Sequence, residues 1–236
     1  MSHICYKMAN LASIAYLDGA EAKPKIKELG YTGHKFFEKN GAQCHAVWNK
    51  EEYVLAFRGT EPTELSDLLA DLNAIPRSSM TYGLVHSGFR GEVDKLWDAL
   101  VAHQVKHEGK RFYITGHSLG GAMATIATSR FEEYTKVELL TTFGSPRVGT
   151  RKFVKNIETK HMRFVNNNDL VTKVPLFLMG YKHHGTLQYI NFYGNIRKLT
   201  PWQMVKDKWR GWKSGVLDGA KDHGVDNYVR CTEKME

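Results

Sequence analysis

The fold of this chain is decided by the stretch Arg111-Phe112-Tyr113-Ile114-Thr115-Gly116-His117-Ser118-Leu119-Gly120-Gly121. Residues 111–115 have the composition of a short strand, and the Ala-rich residues 119–134 have that of a helix. A tight, glycine-rich turn with one serine therefore joins a strand to a helix, and only in this context does the pattern G-x-S-x-G indicate chemistry. Because the flanking glycines remove side chains that would clash, the serine can stand above the sheet. Ser118 is the candidate nucleophile.

Predicted strands and helices alternate on both sides of this turn. The strands are residues 34–38, 43–48, 53–57, 137–143 and 162–165, and the helices are residues 88–107 and 150–158. Residues 188–193 predict a hairpin, and two helices follow it. Alternation at these lengths predicts an α/β fold with a mostly parallel central sheet flanked by helices. Since the chain has no internal repeat and no linker composition, we expect a single domain over residues 1–236.

The composition is that of a globular protein. The chain has 236 residues, of which 42% are hydrophobic and 25% are charged, and this balance excludes disorder, collagen and coiled coil. No apolar run approaches the ~18 residues of a membrane span, so we expect no transmembrane segment. The formal charge of +8 is compatible with nucleic acid, an anionic membrane surface or solubility alone. Because no nucleic-acid-reading module is recognisable, we expect no nucleic-acid partner.

The cysteines and the first residues bear on the compartment. Cys5, Cys44 and Cys231 match no zinc spacing, and at least one of them must stay unpaired, which indicates a reducing compartment or a chain that needs no disulfide bridges. Residues 8–17 loosely resemble a signal peptide, but Asn10 and Ser13 interrupt the apolar run. An amphipathic first helix is the better interpretation. We therefore expect a cytoplasmic protein, with secretion by another route as the alternative.

A nucleophilic serine needs a base, and the base needs an orienting acid. Asp169 is the best acid candidate, because it follows the apolar strand 162–165 and would lie at the carboxyl edge of the sheet, where open α/β folds gather their active sites. His183, His184 and His223 all lie beyond Asp169. The order acid, then histidine, leaves all three open as the base, with a modest preference for His223.

Six sequence blocks occur in the order of one known family. They are Phe57-Arg58-Gly59-Thr60, His86-Ser87-Gly88-Phe89, Gly116-His117-Ser118-Leu119-Gly120-Gly121, Thr142-Phe143-Gly144-Ser145-Pro146-Arg147-Val148-Gly149, Asn168-Asp169-Leu170-Val171 with Val174-Pro175, and Asp222-His223 with Tyr228. Over nearly its whole length the chain thus resembles the class 3 lipase family, the fungal-lipase-like branch of the α/β-hydrolases. The resemblance implies the α/β-hydrolase fold with a short lid after the third strand.

The resemblance implies a role for each matching residue. Ser118 resembles the nucleophile of the family, Asp169 its acid and His223 its base. The oxyanion hole would be formed by the backbone N–H of Leu119 and by Thr60, which matches the Ser or Thr that follows Arg-Gly in the family. Thr60 would also end a strand at the active edge of the sheet.

Other polar residues receive supporting interpretations. Asp71 resembles a family aspartate that supports the hydroxyl of Thr60. His86, His117 and His183 lack ligand spacing with a carboxylate, so we interpret them as structural and expect no metal site. The implied reaction needs no cofactor.

Two segments have an amphipathic pattern with two interpretations each. Residues 61–85 occupy the lid position of the family, and their leucines could equally belong to an ordinary surface helix. Residues 201–216 place Trp202, Trp209 and Trp212 on one helix face and several cations on the rest. That pattern fits a helix packed on the domain body, or peripheral contact with an anionic lipid surface.

The resemblance implies a carboxylic-ester hydrolase that acts on acylglycerol lipids through an acyl-enzyme, like a triacylglycerol lipase. A phospholipase A1 or a short-chain carboxylesterase would use the same three side chains and is the alternative. A catalytically inactive lipid-binding relative is the remote alternative.

Overall fold

The computed structural model describes residues 2–59, 75–197, 200, 202–203, 206–207, 209 and 222–234. Thr60, Asp71, most of the predicted lid and most of residues 201–216 lie outside these ranges. The helices are α1 (Ser2–Ile14), α2 (Gly19–Glu28), α3 (Ser87–Gln104), α4 (Leu119–Phe131), α5 (Arg151–Lys155) and α6 (Val225–Glu233). The main-sheet strands are β1 (Gly33–Lys39), β2 (Ala42–Trp48), β3 (Glu52–Phe57), β6 (Arg111–His117), β7 (Leu139–Phe143), β9 (His161–Asn166), β11 (Thr186–Ile190) and β12 (Ile196–Arg197).

Within the described residues these eight strands form one sheet in the order β1-β2-β3-β6-β7-β9-β11-β12. The five from β3 to β11 run parallel, and antiparallel pairs close both edges. Crossovers join the parallel strands, those from β3 to β9 through α3, α4 and α5, and they place the carboxyl ends of the strands at one edge. The α/β fold with a mostly parallel sheet flanked by helices, predicted from the sequence, is confirmed.

The sheet separates two apolar cores. Alternate side chains of β3 point to opposite faces: Leu55 packs among residues of α3 and α4, while Val54 packs among residues of α1. The α1 side also receives Tyr228 of α6. Because β3 and its parallel neighbours are covered on both faces, they read in the sequence as apolar runs rather than as alternation.

A second, smaller sheet was not anticipated. Its strands are β4 (Pro76–Ser78), β5 (Leu84–His86), β8 (Gly149–Thr150) and β10 (Tyr181–Lys182), in the order β10-β8-β5-β4. These strands have two or three residues each, which is too short for a hydrophobic period to show. Two helices, α1 and α2, stand where the sequence predicted one. The strand β11 forms the predicted hairpin with β12 and also pairs in parallel with β9.

No helix in the described ranges is long and apolar enough to cross a bilayer. The longest of these helices, α3, has one apolar face against the core, and its remaining face carries charged side chains. This pattern is typical of a helix that covers a sheet.

Several histidines are held as neutral rings, with His161 buried and His183 and His184 half-buried. His183 Nε2 donates to the carbonyl of Thr172 at 2.9 Å, and His161 shares a 3.1 Å hydrogen bond with His184. Burial first, and then the nearby Arg163, lowers the pKa of His183 from 6.5 to about 3 and that of His184 to about 4. Burial also lowers the pKa of Arg163, to about 10. The native state therefore opposes protonation of this cluster.

We expect the free energy of unfolding to fall steeply below pH 6.5. At pH 5 the unfolded chain protonates these imidazoles while the native chain does not, so each such histidine removes roughly 2 kcal/mol between pH 7 and pH 5. The loss continues until the pH reaches the folded-state pKa. Urea denaturation at both pH values measures it. His183→Gln should shrink the difference, because it removes one imidazole whose pKa falls on folding.

Candidate active site

Ser118 stands on a strained turn between β6 and α4. Its φ of 56° and ψ of −129° lie in a region that serine rarely adopts. Tight packing enforces the turn, since a Cβ on Gly116 would lie 2.3 Å from the carbonyl oxygen of Gly120. A Cβ on Gly120 would lie 2.2 Å from the carbonyl oxygen of Phe57. The glycines of the motif are therefore required by the approach of backbone to backbone.

The turn also places Ser118 at the amino end of α4. The first residue of this helix is Leu119, and the free N–H groups of a first helical turn face outward with a partial positive charge. The Leu119 N–H is therefore available beside Ser118 for a developing negative charge, as predicted for an oxyanion donor. That role stays a prediction.

Asp169 and His223 form a buried pair, 54 residues apart in the chain. The Asp169 Oδ2 atom lies 2.9 Å from His223 Nδ1, and both side chains are buried. A carboxylate oxygen only accepts, so Nδ1 carries the proton and Nε2 is left free to accept one. This is the tautomer that a general base requires.

Tyr228 was noted in the sequence without a role, and the structure gives it one. Its hydroxyl donates to Asp169 Oδ2 at 2.5 Å and accepts from the backbone N–H of Asn166 at 3.0 Å. The other carboxylate oxygen, Oδ1, accepts the N–H of Val171 at 2.9 Å. Asp169 is thus fixed by three donors, counting His223, although it lies in the interior.

His117 anchors the segment that carries His223. Its Nε2 donates to the carbonyl oxygen of His223 at 2.6 Å, and its Nδ1 accepts from the hydroxyl of Tyr16 at 2.7 Å. Burial, with a smaller contribution from His223, lowers the pKa of His117 well below its usual value. His117 therefore acts as a neutral structural link, in agreement with its structural interpretation in the sequence.

The pair leaves no room for a side chain at position 144. Gly144 has a φ of 58°, and a Cβ on it would lie 2.8 Å from Asp169 Oδ2 and 2.9 Å from the ring of His223. Gly144 thus lets the end of β7 approach the carboxylate of Asp169. No sequence pattern distinguished this glycine from an ordinary turn residue.

Two polar atoms of the site have no hydrogen-bond partner in the described part of the chain. They are Ser118 Oγ and His223 Nε2, and both are buried. Unpaired buried polar atoms are rare, because each forfeits a hydrogen bond to water. In apo enzymes a nucleophile and its base are often set apart in this way, and their hydrogen bond tightens when substrate binds.

The other candidate residues have other surroundings or are not described. His183 hydrogen-bonds the carbonyl of Thr172, and His184 hydrogen-bonds the ring of His161. Neither of these hydrogen bonds involves Asp169. Thr60 and Asp71 lie outside the described ranges. Gly59, the residue before Thr60, packs on the nucleophile turn, since its Cβ would lie 3.1 Å from Ser118 Cβ. The chain thus passes beside Ser118 at Gly59.

Among residues 2–59, 75–197 and 222–234 and the few described positions between them, no group of three or more histidine, cysteine, aspartate or glutamate side chains is placed so that it could hold a metal ion. The chemistry of these residues is that of a serine, a histidine and a carboxylate.

Two known proteins are similar to this chain in sequence. The toxin TseL of Vibrio cholerae is 36% identical over 91% of this chain and 48% of its own length. The chloroplastic phospholipase A(1) DAD1 of Arabidopsis thaliana is 35% identical over 53% of this chain and 34% of its own. The chain thus spans about half or less of these relatives.

Solved structures share the fold. The structure of MDLA from Penicillium cyclopium has a TM-score of 0.69 at 22% identity, and the match covers 93% of this chain and 91% of that one. The lipase of Rhizopus microsporus var. chinensis has a TM-score of 0.67 at 22% identity, over 80% of this chain and 74% of that one. The family model of class 3 lipases matches residues 54–179, more than half of the chain. The chain belongs to the class 3 lipase family.

Proposed function

We propose that this protein is a serine carboxylic-ester hydrolase in which Ser118 is the nucleophile, His223 the general base and Asp169 the orienting acid. The observation that carries the proposal is the buried 2.9 Å pair of Asp169 and His223, together with a free Ser118 Oγ on a strained turn at the same sheet edge. Ordinary packing gives no reason to bury an unpaired hydroxyl and an unpaired imidazole nitrogen.

The first half of the reaction forms an acyl-enzyme. His223 Nε2 takes the proton of the Ser118 hydroxyl while Oγ attacks the carbonyl carbon of the ester. Asp169 stabilises the imidazolium that forms and keeps it oriented. When the tetrahedral intermediate collapses, His223 returns the proton to the leaving alkoxide, and the alcohol departs.

The second half releases the acid by the same route. Water gives a proton to His223 and attacks the acyl carbon, and the proton returns to Ser118 Oγ as the carboxylic acid leaves. In both halves the negative oxygen would be held by the N–H of Leu119 and by Thr60. The position of Gly59 against Ser118 supports the assignment of Thr60.

We infer that acylglycerol lipids are the substrate class. Relatives named triacylglycerol lipase and secreted mono- and diacylglycerol lipase support this class. A phospholipase A1 activity is the second candidate, because a relative of that name is 35% identical to this chain. Both use the same ester chemistry and differ in the alcohol that leaves.

A labelling and substrate experiment tests the function. A fluorophosphonate probe should label the purified protein at one site, and mass spectrometry should find it on the peptide that contains Ser118. In parallel, hydrolysis of acylglycerol emulsions, phospholipid vesicles and soluble short-chain esters should favour the acylglycerols. Preference for the phospholipid would favour phospholipase A1. Absence of both labelling and hydrolysis would indicate a lipid-binding relative without activity and would contradict the proposal.

We also propose that residues 201–216 contact anionic lipid peripherally, which is one of the two interpretations of their sequence pattern. The described residues of this segment support it, because Trp202 and Trp209 are 66% and 53% exposed. The ammonium of Lys206 lies over the ring of Trp202. Tryptophan beside lysine is typical of side chains at a lipid headgroup layer.

We propose a reducing compartment, the cytoplasm, as the place of action. Its support is that Cys5, Cys44 and Cys231 are all buried free thiols. Related proteins are named as secreted or chloroplastic, so cell fractionation is the direct test.

We further propose that the chain forms one domain. The support is that both apolar cores pack on the same main sheet, which spans residues 33 to 197. A single cooperative urea transition would be expected of such a domain.

A further inference from the structure

A run of exposed apolar side chains lies outside the catalytic site. Residues 176–179, Leu-Phe-Leu-Met, are named here the apolar turn, and each of them is more than half exposed. Leu178 is 92% exposed, so it packs on almost nothing. Single exposed apolar residues are common on protein surfaces, but four in succession mark an interaction surface.

The apolar turn is held in place at both ends. Before it, the guanidinium of Arg147 donates to the carbonyl oxygens of Lys173 and Pro175. Within it, the N–H of Met179 donates to the carbonyl of Leu176 at 2.9 Å. After it, β10 pairs with β8 in the small sheet. Because the backbone is fixed, the exposure of these side chains is a built feature of the surface.

Cationic side chains lie beside the apolar turn. The ammonium of Lys182 lies over the ring of Phe177. The pairing of β10 with β8 places Tyr181 opposite Thr150, the residue before Arg151, and both Arg151 and Lys152 are exposed. From residue 170 to residue 187 the sequence contains no aspartate or glutamate. The turn is thus an apolar projection with a positive rim.

The apolar turn also lies on the functional side of the molecule. It follows Asp169 along the chain, separated from it only by Leu170, the short 3₁₀ helix Val171–Lys173 and Val174-Pro175. Asp169 itself follows the carboxyl end of β9, at the sheet edge that carries Ser118. A surface that received the turn would therefore face the catalytic edge.

We propose that the apolar turn inserts into the surface of an anionic lipid layer and docks the protein there. The inference rests on the proposed function, in that the layer would present the ester substrate. Leucine, phenylalanine and methionine have no hydrogen-bonding group for a polar partner to read, whereas lysine and arginine beside them suit lipid phosphates. A second copy of the chain is a poorer occupant, because a two-fold contact would oppose the two positive rims.

The test is co-sedimentation with vesicles made of ether-linked phospholipids, which contain no hydrolysable ester. The parent chain should bind vesicles of ether-linked phosphatidylcholine and phosphatidylglycerol more tightly than vesicles of the phosphatidylcholine alone. Leu178→Asp should weaken binding about tenfold or more, since a carboxylate would enter the interface. The matched control is Val105→Asp, because Val105 is 53% exposed and follows α3 at the opposite edge of the sheet. It should bind like the parent chain.

A soluble short-chain ester separates this inference from the proposed function. Leu178→Asp should hydrolyse it at the parent rate, because the side chain is 92% exposed and lies outside the triad. If the parent chain hydrolyses no ester, the proposed function fails while the vesicle experiment still decides the docking. Equal binding by Leu178→Asp and the parent chain would overturn the inference. So would a failure of the parent chain to bind, or a soluble dimer that only Leu178→Asp dissociates.

Discussion

Ser118→Ala is expected to lower kcat on a soluble ester by about 10⁴-fold or more, because removal of the nucleophile leaves only binding and oxyanion stabilisation. The same change should barely alter stability. Ser118 Oγ has no hydrogen-bond partner in the described part of the structure, so its loss breaks no described bond. The thermal midpoint and the circular dichroism spectrum measure the fold, and initial rates measure the chemistry.

Ser145→Ala is the matched control for this variant. Ser145 is also buried, and it packs on Gly121 of the nucleophile turn. Its hydroxyl donates to the carbonyl of Pro146 and has no place in the proposed reaction. Ser145→Ala should therefore retain turnover. If Ser118→Ala kept the parental rate in a preparation free of other esterases, the assignment of the nucleophile would be wrong.

Asp169→Asn has the second-largest expected effect, a fall in kcat of about 10³- to 10⁴-fold. The carboxylate accepts from His223, Tyr228 and the N–H of Val171, and all three are donors. An amide has one accepting oxygen and one donating nitrogen, so it cannot satisfy this set. Either His223 turns to the wrong tautomer or a donor is left unpaired. Stopped-flow or steady-state rates at pH 8, compared with the parent chain, measure the loss.

Asp222→Asn provides the control for Asp169→Asn. Asp222 precedes the base directly, and its carboxylate accepts the backbone N–H of Asn168. An asparagine can accept the same bond, so this variant should lose far less activity. If both variants lost the same activity, the loss in Asp169→Asn would be due to a disturbed loop and not to a misoriented His223.

The sequence predicted those parts of the fold in which each element is long enough to show a period. The strand and helix on either side of Ser118 appear where they were predicted, and so do β1, β2 and β3. The small sheet was missed, because strands such as β8, with two residues, are defined by their partners and not by their own pattern. Tertiary pairing created them.

The residues of the candidate triad could be predicted from the sequence, but the hydrogen bonds that hold them in place could not. The strand end before Asp169 and the serine turn have local signals, whereas the choice among His183, His184 and His223 depended on family resemblance. The hydrogen bonds of Tyr228 and His117 join residues that are 59 and 106 positions from their partners. No local sequence pattern reports contacts between residues so far apart in the chain, so these hydrogen bonds are seen only in the folded structure.

The packing of α6 against α1 has a consequence for the order in which the site is assembled. Tyr16, just after α1, bonds His117, which in turn holds the backbone of His223, and Tyr228 of α6 packs in the core that α1 builds. A nascent chain that has emerged only as far as β9 already contains the serine and can fold its turn, but it has no base. The proposed base would therefore be held in place only after α6 has packed against α1.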